Sequence, residues 1–348
     1  MTTHPRQFVS DNCSGICPEA WEALAEANHG HAPSYGDDEW TERACDLVRQ
    51  VFETDCEIFF VFNGTAANAL ALATLCQPFH SVLCHTHAHV EVDECGAPEF
   101  FSHGSKVLLV GGENGRIDPV ALEQTATKRS DIHYPKPRAL SLTEATELGT
   151  VYRPAHLQAL KDSAGRLGLR IHMDGARFAN AVVSTGAYPK ELSWQAGVDV
   201  LCLGGSKNGL GVGEMVVFFN KPLAAEFDYR CKQAGQLCSK MRFMAAPWVG
   251  LLRDGAWLRN AANANRTAQR LEEKLRDVPG LDIAFPCEAN SVFVRMPSGK
   301  ADAVRARAWR FYETHSIACS RLMCSWDTTD EDVDQLAADI RSVMTGNR

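Results

Sequence analysis

The most constraining feature of this sequence is a run of seven short apolar segments separated by stretches of helical character. They are Glu57–Phe62, Ser81–Cys84, Lys106–Val110, Arg138–Leu142, Leu169–Met173, Asp199–Leu203 and Met215–Phe219. Several are apolar at every position instead of at alternate ones. A strand wetted on one face alternates, whereas one covered on both faces does not need to. Between the strands lie helical patterns such as Leu157, Leu160, Ala164 and Leu167, followed by Gly168 as a stop signal. Strands alternating with helices predict an α/β fold with a mostly parallel seven-stranded sheet covered on both sides. The segment Gly111–Pro119 (GGENGRIDP) lacks the spacing of a phosphate-binding GxxxxGK[ST] loop and reads as a turn before the next helix.

The last hundred residues follow a different plan. A long polar helix is expected from Arg253 to Arg276, ahead of Pro279-Gly280. Strand Ser291–Met296, helix Ala301–Thr314, strand Ile317–Cys324 and a final helix follow. Thr328 and Glu331 stand at capping-box spacing, and Val333, Leu336, Ala337, Ile340 and Val343 form one apolar stripe. This reads as a smaller α+β domain. The expected division is an N-terminal arm (1–30), a large domain (31–252) and a small C-terminal domain (253–348).

Composition narrows the function. The 348 residues are 45% hydrophobic and 22% charged, which is enough apolar sequence for a large core. A formal net charge of −8 and no long basic run argue against nucleic acid or an anionic membrane as partner. No apolar stretch approaches the ~20 residues of a membrane helix. The polar start MTTHPRQFVSDN lacks a secretory core, so the reading is cytoplasmic. Thirteen cysteines, with no CxxC pair, read as mostly buried thiols in a reducing compartment.

Three segments carry candidate chemistry. In Ile171–Arg177 (IHMDGAR), apolar residues lead straight to Asp174, an acid at a strand's carboxyl end, where ligands bind in such sheets. The bland alternative is a helix cap or turn acid. In Leu203–Gly213 (LGGSKNGLGVG), five glycines surround Lys207. A partly desolvated lysine there would serve as a nucleophile or Schiff-base former, and the alternative is a surface loop lysine. In Phe62–Asn68 (FNGTAAN), a strand gives way to an Ala-rich helix, whose free amides would seat a phosphate. Taken locally, an ordinary strand–helix turn is the favoured reading.

Taken in order, these segments resemble the fold-type-I pyridoxal phosphate (PLP) enzymes. More closely, the chain resembles the L-threonine aldolase family, low-specificity type, from Ser10 to about Asp327. The matching pieces are Ser10-Asp11, Tyr35-Gly36-Asp37-Asp38, Asn63-Gly64-Thr65, His89, Asp174-Gly175-Ala176-Arg177, Ser206-Lys207 and Arg321. The resemblance implies that Lys207 binds PLP covalently and that Asp174 pairs with its pyridinium nitrogen. It implies that Arg177 lies near the ring's phenolic oxygen, and that Gly64 and Thr65 hold the phosphate. Arg242 would reach a phosphate of a neighbouring subunit. Arg321, aided by Ser10 and Tyr35, would bind the substrate carboxylate.

His89 would stack on the cofactor ring and is a candidate base. It ends the run His85-x-His87-x-His89, an alternation that would suit a metal. No fourth ligand stands at a convincing spacing, so no metal site is assigned. Many family members carry a second active-site histidine after a Glu-Asn-Thr segment. Here Glu144-Ala145-Thr146-Glu147 places Glu147 there, which leaves open the base and the preference between threonine and allo-threonine.

The implied reaction is retro-aldol cleavage of L-threonine, L-allo-threonine or a relative such as phenylserine to glycine and an aldehyde. The implied assembly is a homotetramer with active sites at subunit interfaces. The rivals are an aminotransferase or β-eliminating lyase of the same fold, a non-catalytic PLP-fold binding protein, and a metal-dependent hydrolase using the histidine run.

Overall fold

The computed structural model describes residues 4–346. Its larger sheet holds seven strands, β1 (Glu57–Val61), β2 (His80–His85), β3 (Lys106–Val110), β4 (Lys136–Thr143), β5 (Arg170–Gly175), β6 (Val200–Leu203) and β7 (Glu214–Phe218). Their order is β1-β7-β6-β5-β4-β2-β3. β7 runs antiparallel to both of its neighbours and the remaining pairings are parallel. The expected fold class is borne out.

The continuous apolar runs have a direct cause. Successive residues of a strand point to opposite faces, and here each face has its own core. Leu201, Leu203, Met215 and Val217 enter one, with Leu83, Phe178 and Trp248. Val200, Cys202, Val216 and Phe218 enter the other, with Val82, Leu70 and Phe227. Both helix layers are therefore held to the sheet by burial, at roughly 1.5–3 kcal/mol per large apolar side chain.

Six strands (β1 to β6) point their carboxyl ends to the same edge of this sheet. The loops that leave that edge carry most of the candidate site residues. The helix Gly64–Leu75 starts three residues beyond β1 and is capped by Asn63, whose side chain accepts from the Ala66 amide at 2.9 Å.

The second sheet is antiparallel, with β8 (Asp282–Ile283), β9 (Ser291–Arg295), β10 (Tyr312–Thr314) and β11 (Cys319–Met323) in the order β10-β11-β9-β8. Its core joins Val292, Val294, Trp309 and Leu322 to Leu271, Leu336 and Ile340, and also takes in Phe8. The Phe8 amide donates to Arg310 O (3.1 Å) and its carbonyl accepts from Met323 N (3.0 Å). The N-terminal segment is thereby tied beside β11, and Ser10 and Asp11 follow it inward.

Four expectations for this region are corrected. The long helix starts at Ala256, not Arg253, because Gly255 (φ +68°) separates it from a preceding helix Arg242–Arg253. The helix expected over 301–314 spans only Lys300–Arg305. The chain leaves it at Ala308 (φ +70°) so that Trp309 and Phe311 can enter the small core. The strand expected from Ile317 starts at Cys319, after a turn through Ala318 (φ +50°). The capping box is made by Thr329 and Asp332, since the Thr328 hydroxyl already accepts from Ser325 N at 2.8 Å. The apolar stripe of the last helix is buried as expected.

All thirteen cysteines are free thiols and most are buried. The 111–119 segment is a turn ahead of the helix Pro119–Ala126, capped by Asp118. No described helix is long and apolar enough to cross a membrane.

Candidate active site

Lys207 lies in a single 3-10 turn, Ser206–Asn208, four residues beyond β6. The glycines around it serve packing. A Cβ on Gly204 would stand 2.4 Å from Ala176 O, and one on Gly205 would stand 2.5 Å from both Leu210 and Trp248. Asn208 fixes the turn from the other side, donating to Trp257 O (2.9 Å) and accepting from Asn260 Nδ2 (2.8 Å). Among the described residues the Lys207 ammonium has no hydrogen bond or ion pair, although the turn beneath it is fully anchored. Buried Glu214 and Asp11 lie close enough to act on it electrostatically.

Asp174 ends β5 and is 4% exposed. It accepts from Asn68 Nδ2 and from the Ala176 amide, both at 3.0 Å. Asn68 projects from the helix Gly64–Leu75, and its Nδ2 also donates to Glu94 Oε1 at 2.8 Å. Glu94 in turn meets His89 Nδ1 at 2.8 Å. Burial works against a charged His89 ring, but the Glu94 hydrogen bond and the charges of Glu147 and Asp174 outweigh it and raise the imidazole above its usual range. The histidine run does not converge: His85 reaches Gly112 O and the His87 amide, while His89 turns to Glu94.

Arg177 and Asp11 form a buried bidentate pair, Nε to Oδ2 at 2.7 Å and Nη2 to Oδ1 at 3.0 Å. Asn290 Nδ2 adds a third donor to Asp11 at 3.0 Å. Ser10 is buried beside it, its hydroxyl accepting from the Asn12 amide at 3.2 Å.

Arg321 comes from β11. Its guanidinium carbon lies 5.3 Å from the Tyr312 ring centroid, and its Nη2 donates weakly to Val9 O at 3.4 Å. Its Nε is buried without a partner. Burial, and then the like charge of Arg177, lower its proton affinity, and Glu147 and Asp11 only partly offset this. A cation left so poorly compensated is prepared for an anion. Arg321, Glu147, His87, Leu148, Phe293 and Tyr312 border a cavity of about 520 Å³, a size suited to a small ligand. Glu147 makes no hydrogen bond or ion pair among the described residues.

Gly64 and Thr65 occupy the first turn of their helix, where amides have no intrahelical acceptor. A Cβ on Gly64 would meet nothing within 4 Å. An open helix start with free amides, an unpartnered lysine and a buried carboxylate with fixed donors are what a phosphorylated pyridine aldehyde requires, so the residues fit that group.

Two expected site residues lie apart from this cluster in the single chain. Arg242 is directed to the carbonyls of His29 and Gly30, both at 3.3 Å. Tyr35 (φ +61°) is half-exposed with the Lys232 ammonium 4.8 Å above its ring. The two are close to each other, since Tyr35 N donates to Ser239 O and Gly36 packs near Met241. Neither shares a hydrogen bond or ion pair with Lys207, Asp174 or Arg321. Conversely, sequence reasoning missed Asn68 and Glu94 and gave Asp11 no role. The helical offset of Asn68 from Gly64 was the only signal for the first, and nothing local marked the second.

Comparison with known proteins agrees with this geometry. Residues 7–298 match the family model described as beta-eliminating lyase. The low specificity L-threonine aldolase of Pseudomonas aeruginosa is 62% identical over 344 residues, covering 99% of both chains. That of a Pseudomonas species is 59% identical, covering 99% of this chain and all of the other. The threonine aldolase structure from Leishmania major superposes with a TM-score of 0.91 at 23% identity, covering 98% of this chain and 100% of that one. The mixed sheet and lysine turn define the class as fold-type-I PLP enzymes. Within that class the chain belongs to the beta-eliminating lyase family and, in it, to the low specificity L-threonine aldolases.

Proposed function

We propose that this protein is a PLP-dependent aldehyde-lyase that cleaves L-threonine and L-allo-threonine, and related β-hydroxy-α-amino acids such as phenylserine, to glycine and an aldehyde. The observation that carries the reading is an unpartnered Lys207 and a buried Asp174 at one edge of the large sheet, with the under-compensated Arg321 of the small sheet near Arg177 and Asp11. When bound, PLP supplies an electron sink for the charge left on Cα as the Cα–Cβ bond breaks.

In this reading Lys207 would hold the cofactor covalently. Asp174, held in place by its two donors, would pair with the pyridine nitrogen. Gly64 and Thr65 would seat the phosphate, and Arg177, fixed by Asp11, would serve the phenolic oxygen. Arg321 and Ser10 receive the substrate carboxylate. Fixing the carboxylate and the amine leaves one bond free to align for cleavage, so orientation selects the reaction. The β-substituent then extends into the cavity beside Glu147, and either His89 or Glu147 takes the β-hydroxyl proton.

Tyr35 and Arg242 act in this scheme from a neighbouring subunit, with interface active sites and a homotetramer as the assembly and the cytoplasm as its location. Their joint placement away from the single-chain cluster supports that assignment. Incubating the purified protein with PLP and each threonine stereoisomer tests the function: acetaldehyde and glycine in equal amounts are expected from L-threonine or L-allo-threonine. A keto acid product, or no aldehyde from either isomer or from phenylserine, contradicts it.

A further inference from the structure

Glu94 has no role in the reaction as described so far, yet its position is closely specified. Its side chain is 0% exposed beside a histidine side chain that is 27% exposed. It follows the short helix His89–Val92, and its carbonyl accepts from Ala97 N at 2.9 Å. A carboxyl with no access to water must find its partners within the protein. Oε1 finds two: His89 Nδ1 at 2.8 Å and Asn68 Nδ2 at 2.8 Å, while Oε2 has none. The same Asn68 nitrogen donates to Asp174 Oδ2 at 3.0 Å. One buried amide thus joins the acid expected beneath the cofactor nitrogen to the acid that holds the histidine.

We propose that Glu94 is a positioning residue for His89: its carboxylate engages Nδ1, so that Nε2 is the ring nitrogen left free to handle a proton, and Asn68 ties this pair to Asp174. The proposal rests on the reading of His89 as a proton-handling group in threonine cleavage. A neutral imidazole has one protonated and one bare nitrogen, and the hydrogen bond at one fixes the state of the other. With Nδ1–H donating to Glu94, Nε2 is the acceptor, which is the form a base needs. Among the described residues Nε2 has no hydrogen-bond partner.

The acidic groups that act on His89 come from three places. Glu94 follows its own helix, Glu147 lies in the loop after β4, and Asp174 ends β5. Burial raises the Glu94 carboxyl, while the hydrogen bonds from His89 and Asn68 oppose that rise. The nearest donor atoms of His89, Glu94 and Asp174 fall within 4.8 Å of one another, a spacing that would also suit a cation. The shared Asn68 donor already serves both carboxylates, which favours the hydrogen-bonded chain.

The test is 15N NMR of the imidazole rings in the holoenzyme, with His89→Asn to assign the signal, in the wild type, Glu94→Gln and Glu94→Ala. The wild-type neutral ring is expected in the Nδ1–H form. Glu94→Gln should lower its titration midpoint by about one pH unit or more, and Glu94→Ala should move it toward the Nε2–H form. In threonine cleavage Glu94→Gln should lower kcat by about 10²-fold, with KM within about threefold and cofactor absorbance retained. A His89 midpoint and tautomer that ignore Glu94, or a ring signal displaced by added zinc in the wild type, overturns the proposal. Wild-type protein that releases no aldehyde removes the parent function instead, and the ring titration still decides the contact.

Discussion

Arg177 and Asp11, 166 residues apart in sequence, close a bidentate ion pair that is almost wholly out of solvent, at 2.7 and 3.0 Å. This pair attaches the N-terminal segment to the loop after β5. It joins the part of the chain that carries Ser10 to the part that carries Asp174. Removing one member leaves the other charge buried and alone, a loss of about 3–5 kcal/mol. Asp11→Ala should therefore lower stability by that amount in urea unfolding, and more than Ser10→Ala does.

The same pair makes stability depend on acid. Burial alone would raise the Asp11 carboxyl, but the Arg177 charge and hydrogen bonds override it and hold the group below its usual 3.8. A depressed carboxyl contributes stability that is present above the unfolded value and is lost as pH falls toward the folded one. Wild-type stability should drop below about pH 4, and Asp11→Asn should flatten that limb in unfolding measured across pH.

Glu144 predicts the opposite sign. It is fully buried, and burial pushes its carboxyl well above 4.5, opposed by the Tyr152 amide that lies 3.1 and 3.2 Å from its two oxygens. The folded state thus retains a proton that the unfolded chain releases near 4.5. Its contribution is full below that value and declines as pH rises toward the folded one. Glu144→Gln keeps an acceptor for the amide and removes the ionisation. Its melting temperature, relative to wild type, should improve steadily from pH 5 to 8.

For Arg321 the expectation is kinetic. Losing a charged hydrogen bond to the substrate carboxylate costs about 1.5–3 kcal/mol, so Arg321→Ala should reduce kcat/KM roughly 10- to 150-fold. Arg321→Lys should recover little of this, because an ammonium cannot match a planar carboxylate with two parallel bonds. Steady-state rates on L-threonine, with folding checked by circular dichroism, decide it.

Local pattern carried the sheet and the Gly64-Thr65, Asp174 and Lys207 parts of the candidate site, because these depend on short-range order, while the resemblance supplied the rest. An apolar strand that ends in Asp174, or leads into Gly204-Gly205 before Lys207, can be read directly. The parts that were not legible depend on distant partners. Glu94 meets Asn68 across 26 residues and Asn68 meets Asp174 across 106, and neither acid nor amide is unusual in its own neighbourhood. The helix expected from 301 to 314 failed for a related reason. Trp309 and Phe311 belong to the small core, and tertiary burial overrides helical periodicity there. Ser10, Tyr35, His89, Glu147, Arg177, Arg242 and Arg321 rest on the resemblance, and the role proposed for Tyr35 and Arg242 requires a second chain.

The central claim is that Lys207 carries the cofactor, and reductive trapping tests it most directly. The protein loaded with PLP is treated with borohydride, digested, and its peptides are weighed. The account predicts one phosphopyridoxyl group, on the peptide containing Lys207, together with loss of threonine cleavage. An unmodified Lys207, or a label fixed on another lysine while Lys207 remains free, would contradict it.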